Sequence, residues 1–336
     1  MELSQIEIGQ MNKSLSEAQS NAISYLRALS LIMIVSCHIC QVYGNHWAWV
    51  LNLGVQIFFV ISGYLYGSRY VSNWKSWAVG RIRKVYLPFL VYLVIVLPFY
   101  FIYHRESISI FSPIIYFFDI QGMYWGGVIP GLNHLWFLTD IGICYAITPF
   151  LQYVSEFKPF VKWRWILLFL IMCALIVVIL RFNGWHYHVL LYSIAYMVGK
   201  FLWKWEWIAL FALLAFSASM LVGDVSWELI LSGGAKAYLW RVISCLLIFM
   251  TFLWVFNRIN FTWRPFVIRL LDRHSYYAYI VHHIYIIGPF SGIVALDYTF
   301  KSILYVIGLI VLSSACLSII SGYVDNKLTL LWIKLK

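Results

Sequence analysis

The sequence predicts an all-α polytopic membrane protein, with about ten transmembrane helices in one bundle, N-in and C-in. Three observations predict it. Hydrophobic residues make up 63% of the 336 and charged ones 11%, where soluble domains carry roughly 25% charged residues. The apolar residues fall in continuous runs, many near the roughly 20 residues that cross a bilayer, whereas barrel strands would alternate. Lipid offers no partner for free backbone groups, so such runs form helices. Aromatic residues are the third sign: 17 Trp, 24 Tyr and 24 Phe suit interfacial belts, as at Trp163 and Trp165 or Trp203, Trp205 and Trp207.

In chain order the runs lie near 23 to 43, 48 to 68, 85 to 103, 132 to 154, 165 to 181, 186 to 203, 207 to 222, 236 to 256, 276 to 294 and 301 to 322. Several are short or interrupted by Pro or Gly. Residues 1 to 22 form a cytoplasmic segment that lacks the pattern of a cleaved leader, so the first span is expected to act as the signal. Residues 23 to 322 then form the membrane domain and 323 to 336 a cytoplasmic tail. Of the 24 Lys and Arg, only Arg105, Arg181, Lys236, Arg241 and Lys301 fall on outer segments when the N-terminus is inside, with Arg27 at the inner end of span one. That asymmetry sets the orientation. It also accounts for the net charge of +11 without any nucleic-acid partner. Residues 104 to 131 carry a second apolar patch, FSPIIYFF, and the turn GGVIPG. This predicts a segment that lies in the interface or dips back into the membrane. The six cysteines lie within apolar runs and read as small packing residues.

Four constellations stand out. Arg27 and His38 lie 11 positions apart in span one. That is about 1,100° of helix, within about 20° of three full turns, and about 16 Å of rise, so both face one side at different depths. Ionisable residues inside a membrane are costly and mark function. A neutral imidazole at such a site takes a proton from a hydroxyl as a general base. The second is the basic turn GRIRKVYLP, with Arg81, Arg83 and Lys84 before Pro88, a cluster suited to phosphate. In the third, GLNHLWFLTDIGICYAITP, Asp140 lies about two turns into a span and needs a cation, a proton or water. Toward the outer face, His134 and Trp136 suit a sugar ring. The fourth, RHSYYAYIVHHIYI, carries His282 and His283. Adjacent helical residues point about 100° apart, so one of the two at most is expected to face the centre. His186 and His188 read as interfacial. No metal site is expected, because no HxxxH or HxxE arrangement has a carboxylate nearby.

At these residues the sequence resembles the membrane acyltransferase-3 family of bacterial surface-polysaccharide O-acyltransferases. The shared pattern runs in order: Arg27 and His38; Phe58, Phe59, Ser62, Gly63 and Tyr64; Arg81 and Lys84 before Pro88; His134, Trp136, Tyr145 and Pro149; Ser275, Tyr276, Tyr279 and His282. The resemblance implies an enzyme of the bacterial cytoplasmic (inner) membrane. It would transfer an acyl group, usually acetyl, from cytoplasmic acyl-CoA to a sugar hydroxyl of a polysaccharide or its lipid-linked precursor. It further implies that His38 is catalytic and that Arg27, Arg81 and Lys84 hold the acyl-CoA. Lys84 stands where the family has a second Arg and lacks the bidentate fork, so Arg83 is a candidate to share its task. Asp140, His134, Trp136, His282 and Ser62 are candidates for supporting or acceptor-site roles. Acyl-CoA enters as a substrate and no cofactor is expected to be permanently bound. His38 would either deprotonate the acceptor or carry the acyl group itself. A transporter or flippase-like protein with a proton relay through buried His and Asp is the competing reading.

Overall fold

The computed structural model describes residues 15–123, 129–156, 164–182, 186–201 and 235–334, and these contain helices and no strand. The main elements are α1 (Glu17–Val42), α2 (Leu53–Gly67), α3 (Trp74–Arg81), α4 (Leu87–Tyr103), α5 (Ser112–Phe117), α6 (Trp136–Glu156), α7 (Arg164–Arg181), α8 (Tyr187–Phe201), α9 (Ala235–Arg258), α10 (Phe266–Ile286) and α11 (Phe300–Lys334). The chain divides into two compact units. One comprises Met1–Ile34, Trp49–Ser72 and Ile141–Asp272, and the other Val35–Ala48, Asn73–Asp140 and Arg273–Lys336.

Local chemistry explains several boundaries. Before α1, the backbone N–H of Gln19 donates to Ser16 Oγ (3.2 Å) and that of Ser16 to Gln19 Oε1 (3.0 Å), a reciprocal capping box. Asn73 caps α3 by accepting from the N–H of Ser76 (2.9 Å). Between α3 and α4 the chain takes one π-helical turn, Ile82–Tyr86, and Pro88 then stands in the first turn of α4, where its missing N–H is not needed.

In the first unit α2 and α8 pack backbone against backbone. A Cβ on Gly63 would stand 2.3 Å from the carbonyl oxygen of Tyr192, one on Gly67 2.0 Å from that of Tyr196, and one on Gly199 2.4 Å from that of Tyr64. Gly63 and Gly67 are four apart on one face, the small-xxx-small spacing that lets membrane helices approach closely. Tyr64, Leu191, Val242, Cys245 and Phe249 fill the core beside this contact.

In the second unit, residues 104 to 123 and 129 to 131 run beside α4. The Tyr86 hydroxyl donates to the Phe117 carbonyl at one end of that helix. Toward the other end Tyr100 donates to the Pro130 carbonyl (2.6 Å). The segment's turn is anchored at Thr139 Oγ1, which donates to the Asp119 carbonyl (2.8 Å) and accepts from the N–H of Gly122 (3.1 Å).

Six helical stretches of the described residues are long and apolar enough to cross a membrane: Glu17–Val42, Ala48–Gly67, Trp74–Tyr103, Asn133–Glu156, Ala237–Arg258 and Phe300–Leu331. The expected spans at 165 to 181 and 186 to 203 correspond to α7 and α8, of 18 and 15 residues. The run at 207 to 222 lies outside the described residues. The helix expected at 276 to 294 begins at Phe266 and ends at Ile286. Its polar start is tolerated because Asp272 is paired with Arg27 at 3.1 Å, and Gly288 ends the helical course with φ +114°. The last helix continues to Lys334, through most of the expected tail.

Candidate active site

His38 lies in the last turns of α1 within the second unit, where three further histidines meet it. The His38 ring lies 5.1 Å from that of His282 and 4.5 Å from that of His283, centroid to centroid. His134 closes the group at 4.9 Å from His282 and 4.6 Å from His283, stacked on the latter. Both α10 histidines therefore reach the cluster, which corrects the expectation that at most one would. The reason is burial on several sides: Ala278 to Ile284 are all buried, so side chains about 100° apart both meet protein. His134 is held by two bonds to α10. Its Nε2 lies 3.0 Å from the Ile280 carbonyl, and the Tyr279 hydroxyl donates to the His134 carbonyl (2.6 Å).

Backbone carbonyls fix the tautomers of three of the four rings, and for His38 the partner is the side-chain amide of Gln41, which presents its oxygen. A neutral imidazole has one donor and one acceptor nitrogen. Nδ1 of His38 lies 2.6 Å from Gln41 Oε1, an acceptor, so in the neutral ring the proton sits on Nδ1 and Nε2 carries the lone pair. Nδ1 of His282 faces the Tyr279 carbonyl (2.6 Å) and Nδ1 of His283 the Gly131 carbonyl (3.0 Å). His134 donates through Nε2 instead. Each neutral ring spends its N–H on an oxygen and keeps a bare nitrogen. Among the described residues neither Nδ1 of His134 nor Nε2 of His282 has a hydrogen-bond partner. Such a collection of acceptors suits an incoming O–H donor. Among the described residues no three His, Cys, Asp or Glu side chains form a metal-binding group. Cys37 and Cys40, neither of them in a disulfide, flank His38, the first donating to the Ala48 carbonyl (3.1 Å).

Arg27, in the first unit, donates through Nη1 to Asp272 Oδ1 (3.1 Å). The other oxygen, Oδ2, accepts from Ser24 (2.7 Å), whose Oγ accepts from Arg264 Nη1 (3.0 Å). Sequence reading missed Asp272, although it stands three positions before Ser275 of the late Ser-Tyr motif. In the basic turn, Arg83 is engaged: Nε and Nη2 donate to Asp325 at 2.5 and 2.7 Å, and Nη2 also to Thr329 Oγ1 (2.7 Å). Its guanidinium fork is committed to α11, which argues against sharing the task of Lys84. Lys84 is exposed and Arg81 half-buried. Asp140 is buried in α6, Trp136 is half-buried at its start, and Ser62 is half-buried on α2 in the other unit. His188, read as interfacial, is buried within the protein and stacked on Phe59 at 4.9 Å.

The sequence model described as an acyltransferase domain matches residues 20–322. No curated protein and no solved structure matches the chain. A domain match over nearly the whole chain, on a helical protein with several membrane-crossing helices, shows that this protein belongs to the acyltransferase-3 family.

Proposed function

We propose that this multi-pass acyltransferase is an O-acyltransferase of the bacterial cytoplasmic membrane. It has about ten spans, N-in and C-in, and moves an acetyl group from cytoplasmic acyl-CoA to a sugar hydroxyl of a surface polysaccharide or its lipid-linked precursor. The observation that carries the reading is the bond from His38 Nδ1 to Gln41 Oε1 (2.6 Å) inside the histidine cluster. It leaves Nε2 of His38 as a base. This nitrogen takes the proton of the acceptor hydroxyl as the oxygen attacks the thioester carbonyl. Collapse of the tetrahedral intermediate forms the ester and breaks the carbon–sulfur bond. The imidazolium then returns its proton to the departing thiolate. His282 and His134, with their bare nitrogens, are assigned to accept from neighbouring hydroxyls of the acceptor sugar. Arg81 and Lys84 are assigned to the donor's phosphates, and Arg27 also to the donor. Asp140, Trp136 and Ser62 remain supporting candidates.

The test is mass spectrometry of the host's surface polysaccharide from cells with the intact gene, a deletion, and the deletion complemented with wild type or His38→Ala. The expected result is loss of one acyl mass from an otherwise intact glycan, restored by wild type and not by His38→Ala at equal protein level. Loss of the glycan itself would favour transport, and restoration by His38→Ala would remove the histidine from the chemistry.

A further inference from the structure

In the first unit, near the start of α9, a buried cation has no anion beside it among the described residues. Arg241, in the second turn of α9, is 4% exposed. Its guanidinium stands over the Trp49 ring (4.8 Å) and near the Tyr238 ring (5.5 Å). Among the described residues its Nε and Nη2 meet no hydrogen-bond acceptor. Those two atoms form one edge of the guanidinium, with parallel donors spaced to match the two oxygens of a carboxylate. A charge buried without a counterion is costly, and so marks a site that an anion completes.

The neighbours add the character of a sugar site. Gln56, fully buried on α2, donates through Nε2 to the Tyr187 hydroxyl (2.8 Å), while its Oε1 has no partner among the described residues. The Tyr187 ring lies 5.3 Å from that of Tyr238, which connects Gln56 to the arginine. Trp49 covers one face of the guanidinium and is itself 37% exposed, so the arginine lies one side chain below the protein surface. The group holds one cation, which matches a singly charged carboxylate better than a pyrophosphate.

We propose that Arg241, Gln56, Trp49 and Tyr238 form a subsite for an acidic sugar. The carboxylate docks on the Nε and Nη2 edge of Arg241, and a sugar hydroxyl donates to Gln56 Oε1. The word acceptor attaches to this sugar only through the transferase reading above, whereas the binding itself does not depend on it.

The test uses the full chain purified in detergent, without acyl-CoA, and follows thermal unfolding and tryptophan fluorescence. The probes are sodium glucuronate, glucose, glucuronic acid methyl ester and inorganic phosphate. Glucuronate should raise Tm saturably while glucose and the ester leave it unchanged. Arg241→Gln should weaken glucuronate binding about tenfold or more, the scale of one lost charge-assisted bond. Arg241→Lys, which keeps charge but loses the fork, and Trp49→Ala should each weaken it less. Equal responses to glucose or the ester would overturn the proposal. Tighter binding of phosphate than of glucuronate would also overturn it, assigning the fork to a phosphorylated group. If Arg241→Gln does not fold, an unchanged affinity in Arg241→Lys is the overturning result. Because no donor is present, failure here leaves the glycan-mass result standing, and the reverse also holds.

Discussion

In the proposed mechanism Gln41 decides which nitrogen of His38 is the base, and it does so through a single atom. With Oε1 accepting from Nδ1 at 2.6 Å, the lone pair is confined to Nε2. Gln41→Leu would let the proton move between the two nitrogens and the ring rotate. Transfer in membranes should fall about tenfold to a hundredfold with little change in the KM for acetyl-CoA, the sign of an interaction that orients the base rather than binds substrate. His38→Gln removes the base itself and should cost at least about a hundredfold in kcat. Equal activity of Gln41→Leu and wild type would place the catalytic lone pair elsewhere. His38 was legible in the sequence because a histidine inside an apolar run is expensive and because it holds a fixed spacing from Arg27. Gln41 was not, since a glutamine at a helix end is ordinary until its partner is known. His283 was misread for a different reason: helical geometry separates adjacent side chains, but burial on several sides of α10 gives both of them partners.

Helices declare their existence in hydropathy and hide their contacts. The apolar runs of α1, α4 and α11 could be read directly, whereas the start of α10 could not, because its polar first turns are stabilised by groups far away in sequence. Asp272 accepts from both Ser24 and Arg27 of α1, a tie between residues about 245 positions apart that no local pattern contains. The pair is partly exposed, so a double-mutant cycle of Arg27→Ala and Asp272→Ala should return a coupling of about 1 kcal/mol or less in thermal unfolding. Additive effects would mean that the contact contributes nothing. The approach of α2 to α8 has a sharper consequence. Gly67 has the Tyr196 carbonyl 2.0 Å from where a Cβ would stand, and backbone cannot yield as a side chain does. Gly67→Ala should therefore destabilise the protein by about 1–3 kcal/mol, seen as a lower Tm and reduced yield from membranes. Gly80→Ala, with nothing near its Cβ position, should be neutral. The spacing of Gly63 and Gly67 was visible in the sequence, but only the partner helix gives it meaning.

Across the whole molecule, the proposed N-in, C-in orientation rests on the asymmetry of Lys and Arg, and the segment after α4 tests it at one place. If the N-terminus is inside, α4 runs outward from Tyr86 to Tyr103, and residues 104 to 131 begin at the outer face. The bond from Tyr86 to the Phe117 carbonyl then carries Phe117 back toward the inner end of α4. Tyr86 and Tyr100 are 14 residues apart, roughly 21 Å of helix rise, so Ser109 and Phe117 should differ greatly in depth although they are close in sequence and both exposed on the protein. With the six native cysteines replaced by alanine, a membrane-impermeant maleimide added to intact spheroplasts should label Ser109→Cys and leave Phe117→Cys unlabelled. Equal labelling of both would put the whole segment at the outer surface and remove the fold-back. Labelling of Ser109→Cys only after the cells are opened would instead invert the topology. Donor and acceptor would then exchange sides, and the histidine cluster near the end of α1 would face the cytoplasm.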